Sequence, residues 1–153
     1  MSLENIETQE FKNIMQEHLV KTIEYLFNAN QEFAIACEVV AVQFEPELPE
    51  ELQKSLAEIT IFMIANYSFE TATIENNTLF FEAGFGVENI GALVQIPILA
   101  IKQLFINEYP IIMNIASSDE IIEETVEEEV DSMSALLNNP ENAKLLKKNK
   151  KQL

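Results

Sequence analysis

Hydrophobic positions in the first 28 residues recur at three- and four-residue steps, which predicts an amphipathic helix over residues 5–28. Its apolar positions are Ile6, Phe11, Ile14, Met15, Leu19, Ile23, Leu26 and Phe27. Polar residues interrupt this pattern at 28–31. Residues 33–44 are then dense in β-branched side chains, which predicts a first strand. Two prolines end that strand, and residues 46–58 are expected to form a loop with one or two helical turns.

Two further apolar runs flank Asn76-Asn77 and predict a β-hairpin. The runs cover residues 59–75 and 78–86, and Asn tolerates the left-handed backbone that a tight hairpin turn requires. In the first run both alternating sets of side chains are largely apolar. A strand of this kind is expected to be covered on both faces.

Residues 89–105 are apolar on nearly all sides, with Pro97 in the middle, and predict a long helix that Pro97 kinks. Together the elements predict the α+β class: an antiparallel β-sheet of three to four strands packed with an N-terminal helix and a long Pro-interrupted helix. Residues 1–116 are expected to form one domain. Residues 117–153 are expected to form an acidic tail, helical or disordered, with a basic tip.

The chain is strongly acidic, with 26 acidic residues against nine lysines and no arginine. Five of those lysines lie in the last ten residues, so residues 1–143 hold four lysines against all 26 acids. Such a surface repels phosphate backbones and lacks the bidentate guanidinium group. The charge therefore argues against nucleic acid and nucleotide partners and favours cationic ones.

Candidate catalytic chemistry is sparse. His18 and Cys37 are the only residues of their types, so the sequence contains neither an intrachain disulfide nor a zinc-type spacing. Cys37 lies in an apolar strand and is expected to be a small buried hydrophobe. Gly84, Gly86 and Gly91 do not fit the dinucleotide-binding spacing. We therefore expect a protein that is not an enzyme and that uses no cofactor and no metal.

The sequence predicts neither secretion nor a membrane span, because no 18 uncharged apolar residues run together and the N-terminal segment has no cationic region. A reducing cytoplasm fits the single cysteine. Hydrophobic residues make up 48% of the chain, including ten Phe and five Met. This supply exceeds what one small sheet covers and predicts a homo-oligomer or an open apolar groove. Candidate groove residues are Phe62, Ile64, Phe80, Leu93 and Ile98.

Short motifs between residues 59 and 116 occur in the same order as in the SecB-type protein-export chaperones, which this chain resembles. The motifs are Thr71-x-x-x-Glu75, Thr78, Phe80-Phe81-Glu82, Gly84, the Pro97 segment, Tyr109-Pro110 and Asn114-Ile115-Ala116. The resemblance implies a long-stranded antiparallel sheet backed by a long helix, assembled as a dimer of dimers. The expected homo-oligomer is therefore a dimer or a tetramer. The resemblance also implies grooves that hold unfolded, export-bound chains.

The resemblance further implies an acidic sheet surface that docks the motor ATPase of the translocase, at the positions of Glu75 and Glu82. This chain departs from the family pattern, since it begins with a helix where typical members begin with a strand. Gly84-Phe85-Gly86 also replaces the usual glycine pair. Both a general export factor and a chaperone dedicated to one client remain open.

Two other classes remain open from the residues alone. An acidic binding protein with a single basic partner would be an immunity protein, an antitoxin-like protein or a phage assembly factor. A small-ligand protein of the hot-dog type would wrap a sheet around a helix. There the strands mostly follow the central helix, whereas the strands predicted here largely precede the second helix.

Overall fold

Residues 2–118 are the part of the chain that the computed structural model describes, and they form three α-helices and eight β-strands. The helices are α1 (Gln9–Asn28), α2 (Glu50–Lys54) and α3 (Tyr67–Thr71). The strands are β1 (Phe33–Glu38), β2 (Gln43–Glu45), β3 (Ile59–Ile64), β4 (Thr73–Glu75), β5 (Thr78–Phe85), β6 (Ile90–Pro97), β7 (Ile101–Ile106) and β8 (Tyr109–Met113). Nearly all of the predicted acidic tail lies outside the described residues.

The N-terminal helix confirms the prediction from hydrophobic periodicity. The helix α1 begins after Thr8, whose side-chain oxygen accepts a hydrogen bond from the Phe11 N–H at 3.1 Å and so satisfies one free donor of the first turn. Leu19, Ile23 and Leu26 lie at three- and four-residue steps and are buried. Burying side chains of this size contributes about 1.5–3 kcal/mol each, which holds the helix against the sheets.

The eight strands form two antiparallel four-stranded sheets, which confirms the α+β class. Sheet A has the strand order β3-β1-β7-β8, and sheet B has the order β2-β6-β5-β4. The chain crosses from one sheet to the other four times, through the 3-10 turns at Val39–Ala41 and Ile98–Ala100 and through the segments that contain α2 and α3. Residues 33–44, 59–75 and 89–105 were each predicted as one continuous element, and each is divided between the two sheets.

The prediction of a long helix over residues 89–105 is wrong, because this segment forms the strands β6 and β7. Along β6 the side chains alternate, and Ala92, Val94 and Ile96 are buried against the core. The β-branched residues gain more from pairing with β5 over eight residues than from a helix. Pro97 ends β6, where the absence of its N–H costs little.

The predicted hairpin is confirmed, with Asn76 and Asn77 at φ values of 51° and 57° between β4 and β5. The strand predicted for residues 59–75, however, is interrupted by α3. This turn of helix brings Phe69 within 5.9 Å of Phe27 and 6.5 Å of Phe33, measured between ring centroids. Aromatic contacts between α1, β1 and α3 therefore offset the loss of strand pairing.

The core contains the inward side chains of both sheets together with the buried residues of α1. Three buried phenylalanines pack together in it, and the partly buried Phe85 packs against them: Phe62 lies 5.7 Å from Phe81 and 6.5 Å from Phe44, and Phe44 lies 5.4 Å from Phe85. Cys37 is fully buried there, which confirms its prediction as a small core hydrophobe. Burial, followed by the charge of neighbouring Glu38, raises the pKa of the Cys37 thiol.

Candidate functional site

Three of the five predicted groove residues do not lie on an exposed surface. Phe62 and Ile64 face the core from β3, opposite Ile35 and Phe33 of β1. Ile98 is fully buried in the 3-10 turn that contacts α1. Their predicted role as exposed groove residues is wrong, because the chain's own side chains already cover them.

The other predicted residues lie together on the outer face of sheet B, the side turned away from the core. Phe80 and Leu93 are half-buried there, and Glu75 and Glu82 are exposed. The strand register sets Glu82 beside Leu93, which in turn pairs with Glu45 of β2. Sheet B therefore places Leu93 between two carboxylates.

The helix α3 fixes Glu82 through three of its own side chains. The Tyr67 hydroxyl donates to Glu82 Oε1 at 2.9 Å, and Ser68 Oγ donates to the Glu82 carbonyl oxygen at 2.8 Å. The Glu82 N–H donates to Thr71 Oγ1 at 3.0 Å. Together these bonds replace the strand neighbour that Glu82 lacks at the edge of the sheet.

An open pocket of about 410 Å³ lies beside this carboxylate, with Tyr67, Glu45 and Leu93 in its lining. The hydrogen bond from Tyr67 to Glu82, and then the charge of Glu82, raise the pKa of the Tyr67 phenol. Glu45 Oε1 accepts a hydrogen bond from Gln95 Nε2 at 3.1 Å. The outer face of sheet B thus holds carboxylates in defined positions and fits a basic partner.

The outer face of sheet A has a different chemistry and carries exposed hydrophobic side chains on both of its edge strands. We call this surface the apolar face. Its exposed members are Ile59 (47%), Ile61 (60%), Met63 (66%), Ile111 (43%), Met113 (63%) and Ile115 (66%). Apolar side chains that cluster in this way on a protein surface typically mark an interaction site.

Small side chains on the central strand β1 leave the middle of the apolar face recessed. Ala34 and Ala36 of β1 pair with Met63 and Ile61 on one side. On the other side they pair with Phe105 and Gln103 of β7. One depression on this face has a volume of about 310 Å³, and it is lined by Ala36, Ile59, Lys102, Gln103, Met113, Asn114 and Ile115.

The segment after β8 is held in place by Asn114, which is buried. Its amide nitrogen donates to the carbonyl oxygens of Leu99 at 3.1 Å and Ile101 at 2.9 Å, and its Oδ1 accepts from the Ala116 N–H at 2.9 Å. With Asn114 and Ala116 both buried, the intervening Ile115 projects outward. This explains why the Asn-Ile-Ala sequence extends the apolar face beyond the last strand.

Charge on the apolar face is confined to one end and is balanced there. Lys102 Nζ lies 3.9 Å from Glu38 Oε1 and donates to the Ala116 carbonyl oxygen at 2.6 Å. Ser118 Oγ donates to Glu38 Oε1 at 2.7 Å. The apolar face is therefore close to neutral, although the chain as a whole carries a formal net charge of −17.

Sequence reasoning selected the wrong side of β3. The alternation in residues 59–64 separates Ile59, Ile61 and Met63 from Phe62 and Ile64, but both sets are apolar. The neighbouring strand β1 gives a further signal about which side of β3 is buried. Ala34 and Ala36 are too small to form a core layer, so the face that they share with Ile61 and Met63 is the poorer candidate for the interior.

Neither a membrane-spanning helix nor a metal-binding cluster occurs in the described part of the chain. None of its helices is both long and apolar enough to cross a bilayer. No group of three or more His, Cys, Asp or Glu side chains there is arranged to hold a metal ion.

No protein-family model matches the chain, and no curated protein is significantly similar to it. The fold and surfaces define an α+β protein with one apolar and one acidic sheet face. The resemblance to SecB-type chaperones stays a prediction.

Proposed function

We propose that this protein is a non-catalytic cytoplasmic chaperone of the holdase type, which binds unfolded or export-bound polypeptides on the apolar face. The observation that carries the proposal is the set of six exposed apolar side chains on sheet A, which surround a recessed area at Ala34 and Ala36 of the central strand β1. Unfolded chains expose hydrophobic residues that native proteins bury. Methionine and isoleucine at the edges of a shallow depression suit varied apolar segments better than a deep pocket would.

The charge of the surrounding surface adds a preference among such segments. Residues 2–118 contain 17 glutamates and only four lysines. Opposite charge speeds association and lowers the free energy of the encounter, so apolar segments flanked by Lys or Arg are the favoured clients. Because the edge of the apolar face is exposed to solvent, this preference weakens as salt is added.

A second surface serves a different partner in this proposal. Glu75 and Glu82 lie on the outer face of sheet B, away from the apolar face. This arrangement supports docking of a basic partner, such as the translocase motor ATPase that the SecB resemblance implies. Client and partner could then be bound at the same time.

Suppression of aggregation tests the proposal. The full chain is added to a chemically unfolded substrate as it is diluted from denaturant, and light scattering is followed. We expect Ile61→Gln to weaken the suppression several-fold and Ile14→Gln to leave it unchanged. Ile61 on the apolar face and Ile14 on α1 are 60% and 61% exposed, so the two variants remove similar exposed apolar surface from different places. A wild-type protein without effect on aggregation, or equal losses in both variants, would contradict the proposal.

An acidic protein with a single basic partner is the second candidate, favoured by the fixed position of Glu82 on sheet B. A pull-down with the full chain distinguishes the two functions. One stoichiometric basic protein that is lost with Glu82→Gln and kept with Ile61→Gln supports the single-partner function. Many polypeptides, lost with Ile61→Gln and kept with Glu82→Gln, support the holdase.

A further inference from the structure

We propose that a second copy of this chain packs on the apolar face to form a two-fold symmetric dimer, and that this dimer and the client compete for the same surface. The dimer follows from the shape and charge of the apolar face. The competition rests in addition on the proposed function.

The shape of the apolar face is complementary to itself. Two sheets packed face to face lie about 10 Å apart with nearly aligned strands. A two-fold axis in the interface, parallel to the strands and between β1 and β7, sets β1 of each copy over β7 of the other. Ala34 and Ala36 of one copy then lie opposite Phe105 and Gln103 of the other. Small side chains facing large ones are what close packing between two sheets requires.

The same axis sets β3 of each copy over β8 of the other. The exposed residues of β3, Ile59, Ile61 and Met63, then meet the exposed aliphatic residues of β8 and the segment after it. All six exposed members of the apolar face are covered at once. The contact has the extent of one four-stranded sheet.

The charges are complementary under the same axis. A two-fold axis parallel to the strands keeps the two ends of the sheet in register, so Glu38 of β1 in one copy lies toward Lys102 of β7 in the other. Within each chain these two residues already face each other at 3.9 Å. Two copies thus bring together a square of alternating charges. Elsewhere the abundance of glutamates makes two copies repel each other, which disfavours other contacts between them.

Self-association on this face regulates access to it. A client that needs the apolar side chains must displace the second copy, so its apparent affinity falls as the protein concentration rises above the dissociation constant of the dimer. The dimer would keep an aggregation-prone surface covered while no client is present.

The molar mass of the full chain, measured by light scattering after size exclusion over a range of concentrations, tests the dimer. Wild-type protein is expected to be a dimer. In Glu38→Lys alone, or in Lys102→Glu alone, like charges face each other across the axis, and we expect the dissociation constant to rise at least about tenfold. An equimolar mixture of the two variants is expected to recover the dimer, because positive charges again face negative ones.

Mixing cannot repair the pair within each chain, so recovery reports the contact between copies. Ile61→Gln supplies a test that leaves the charges intact and should also yield monomers, whereas Ile14→Gln should remain dimeric. A wild-type monomer at all concentrations overturns the dimer, including a monomer that carries a co-purified polypeptide. A molar mass that is the same in the wild type and in all of the apolar-face variants also overturns the dimer.

Failure of the dimer and failure of the proposed function are distinguishable. A monomer that suppresses aggregation overturns the dimer and leaves the holdase function standing. A dimer that responds to the charge variants but never suppresses aggregation contradicts the holdase function alone. If both hold, the suppression per chain must decrease as the concentration of the chaperone increases; a constant value overturns the competition.

Discussion

The hydroxyl of Tyr67 donates a hydrogen bond to Glu82 Oε1 at 2.9 Å and so joins the helix α3 to the strand β5. Ser68 and Thr71 of the same helix bond the carbonyl oxygen and the N–H of Glu82. Because α3 interrupts what would otherwise be one long strand, these bonds provide the hydrogen-bond partners for the Glu82 backbone that a neighbouring strand would otherwise supply. They also set the direction of the Glu82 carboxylate on the outer face.

The pKa of Tyr67 provides a first prediction. The hydrogen bond to Glu82, followed by its negative charge, raises this pKa by favouring the neutral phenol. We expect Glu82→Gln to lower it toward the ordinary value of about 10. The measurement is the ultraviolet absorbance of phenolate as a function of pH, with Tyr25 and Tyr109 replaced by Phe so that Tyr67 is the only tyrosine.

The raised pKa of Tyr67 also determines how the stability of the fold depends on pH. A pKa raised in the folded state contributes stability that is fully present below the pKa of the unfolded chain and is lost as the pH rises through the folded pKa.

The control for the titration is Glu75→Gln, which removes an exposed carboxylate from the same face and should leave the titration of Tyr67 unchanged. An identical titration in Glu82→Gln and in the parent would show that the hydrogen bond is not formed in solution.

Loss of the Thr71 hydroxyl is expected to destabilise the fold. Thr71→Val keeps the shape of the side chain but leaves the Glu82 N–H without its 3.0 Å acceptor, at a cost of roughly 0.5–1.5 kcal/mol. Denaturant unfolding measures this cost. Thr73→Val is the matched control, since Thr73 is an exposed residue of β4 where valine favours the strand. Equal effects of the two substitutions would argue against the role given to Thr71.

Asn66 has an unfavourable backbone conformation for a residue with a side chain, at φ 55° and ψ −123°. Glycine adopts this region freely, so we expect Asn66→Gly to raise the free energy of unfolding by about 1 kcal/mol. The Asn66 N–H that bonds Glu32 Oε2 at 2.8 Å is retained in this variant. Asn107→Gly, at the β7–β8 turn with φ 58°, is the control and should gain less, because asparagine tolerates the left-handed helical region. A loss of stability in Asn66→Gly would contradict the prediction.

Phe62 is expected to matter for stability rather than for direct contact with a client. Its ring packs against three others in the core, and Phe62→Ala should cost about 3–5 kcal/mol in denaturant unfolding. Phe80→Ala, at a half-buried position on the outer face of sheet B, should cost clearly less. A Phe62→Ala protein with wild-type stability and a specific loss of polypeptide binding would restore Phe62 as a groove residue.

Cys37 is expected to be unreactive in the folded protein. Its side chain is fully buried and burial raises its pKa, so the thiolate that attacks an alkylating reagent is scarce at neutral pH. Mass spectrometry after treatment with iodoacetamide should find no adduct in native buffer and one adduct in denaturant. Rapid modification in native buffer would mean that β1 opens readily from the sheet.

Local patterns in the sequence determined several elements that the structure confirms. The three- and four-residue spacing of Leu19, Ile23 and Leu26 defined the helix α1, and the pair Asn76-Asn77 defined a hairpin turn. In both cases the deciding interactions are short in sequence: side chains one turn apart, and a backbone conformation that asparagine tolerates. The composition likewise indicated more apolar surface than a single small sheet covers.

Tertiary contacts decided what these patterns could not. Residues 90–106 are apolar on nearly all sides, so periodicity does not distinguish a helix from two strands, and pairing with β5 and β1 made the choice. On β3 both alternating sets of side chains are apolar, and the register against β1 decided that Phe62 enters the core while Ile61 stays outside. The sequence by itself therefore determined the α+β class, the first helix and the acidic character. Which apolar side chains remain exposed was decided by the tertiary structure, because burial depends on pairing between strands that are far apart in the chain.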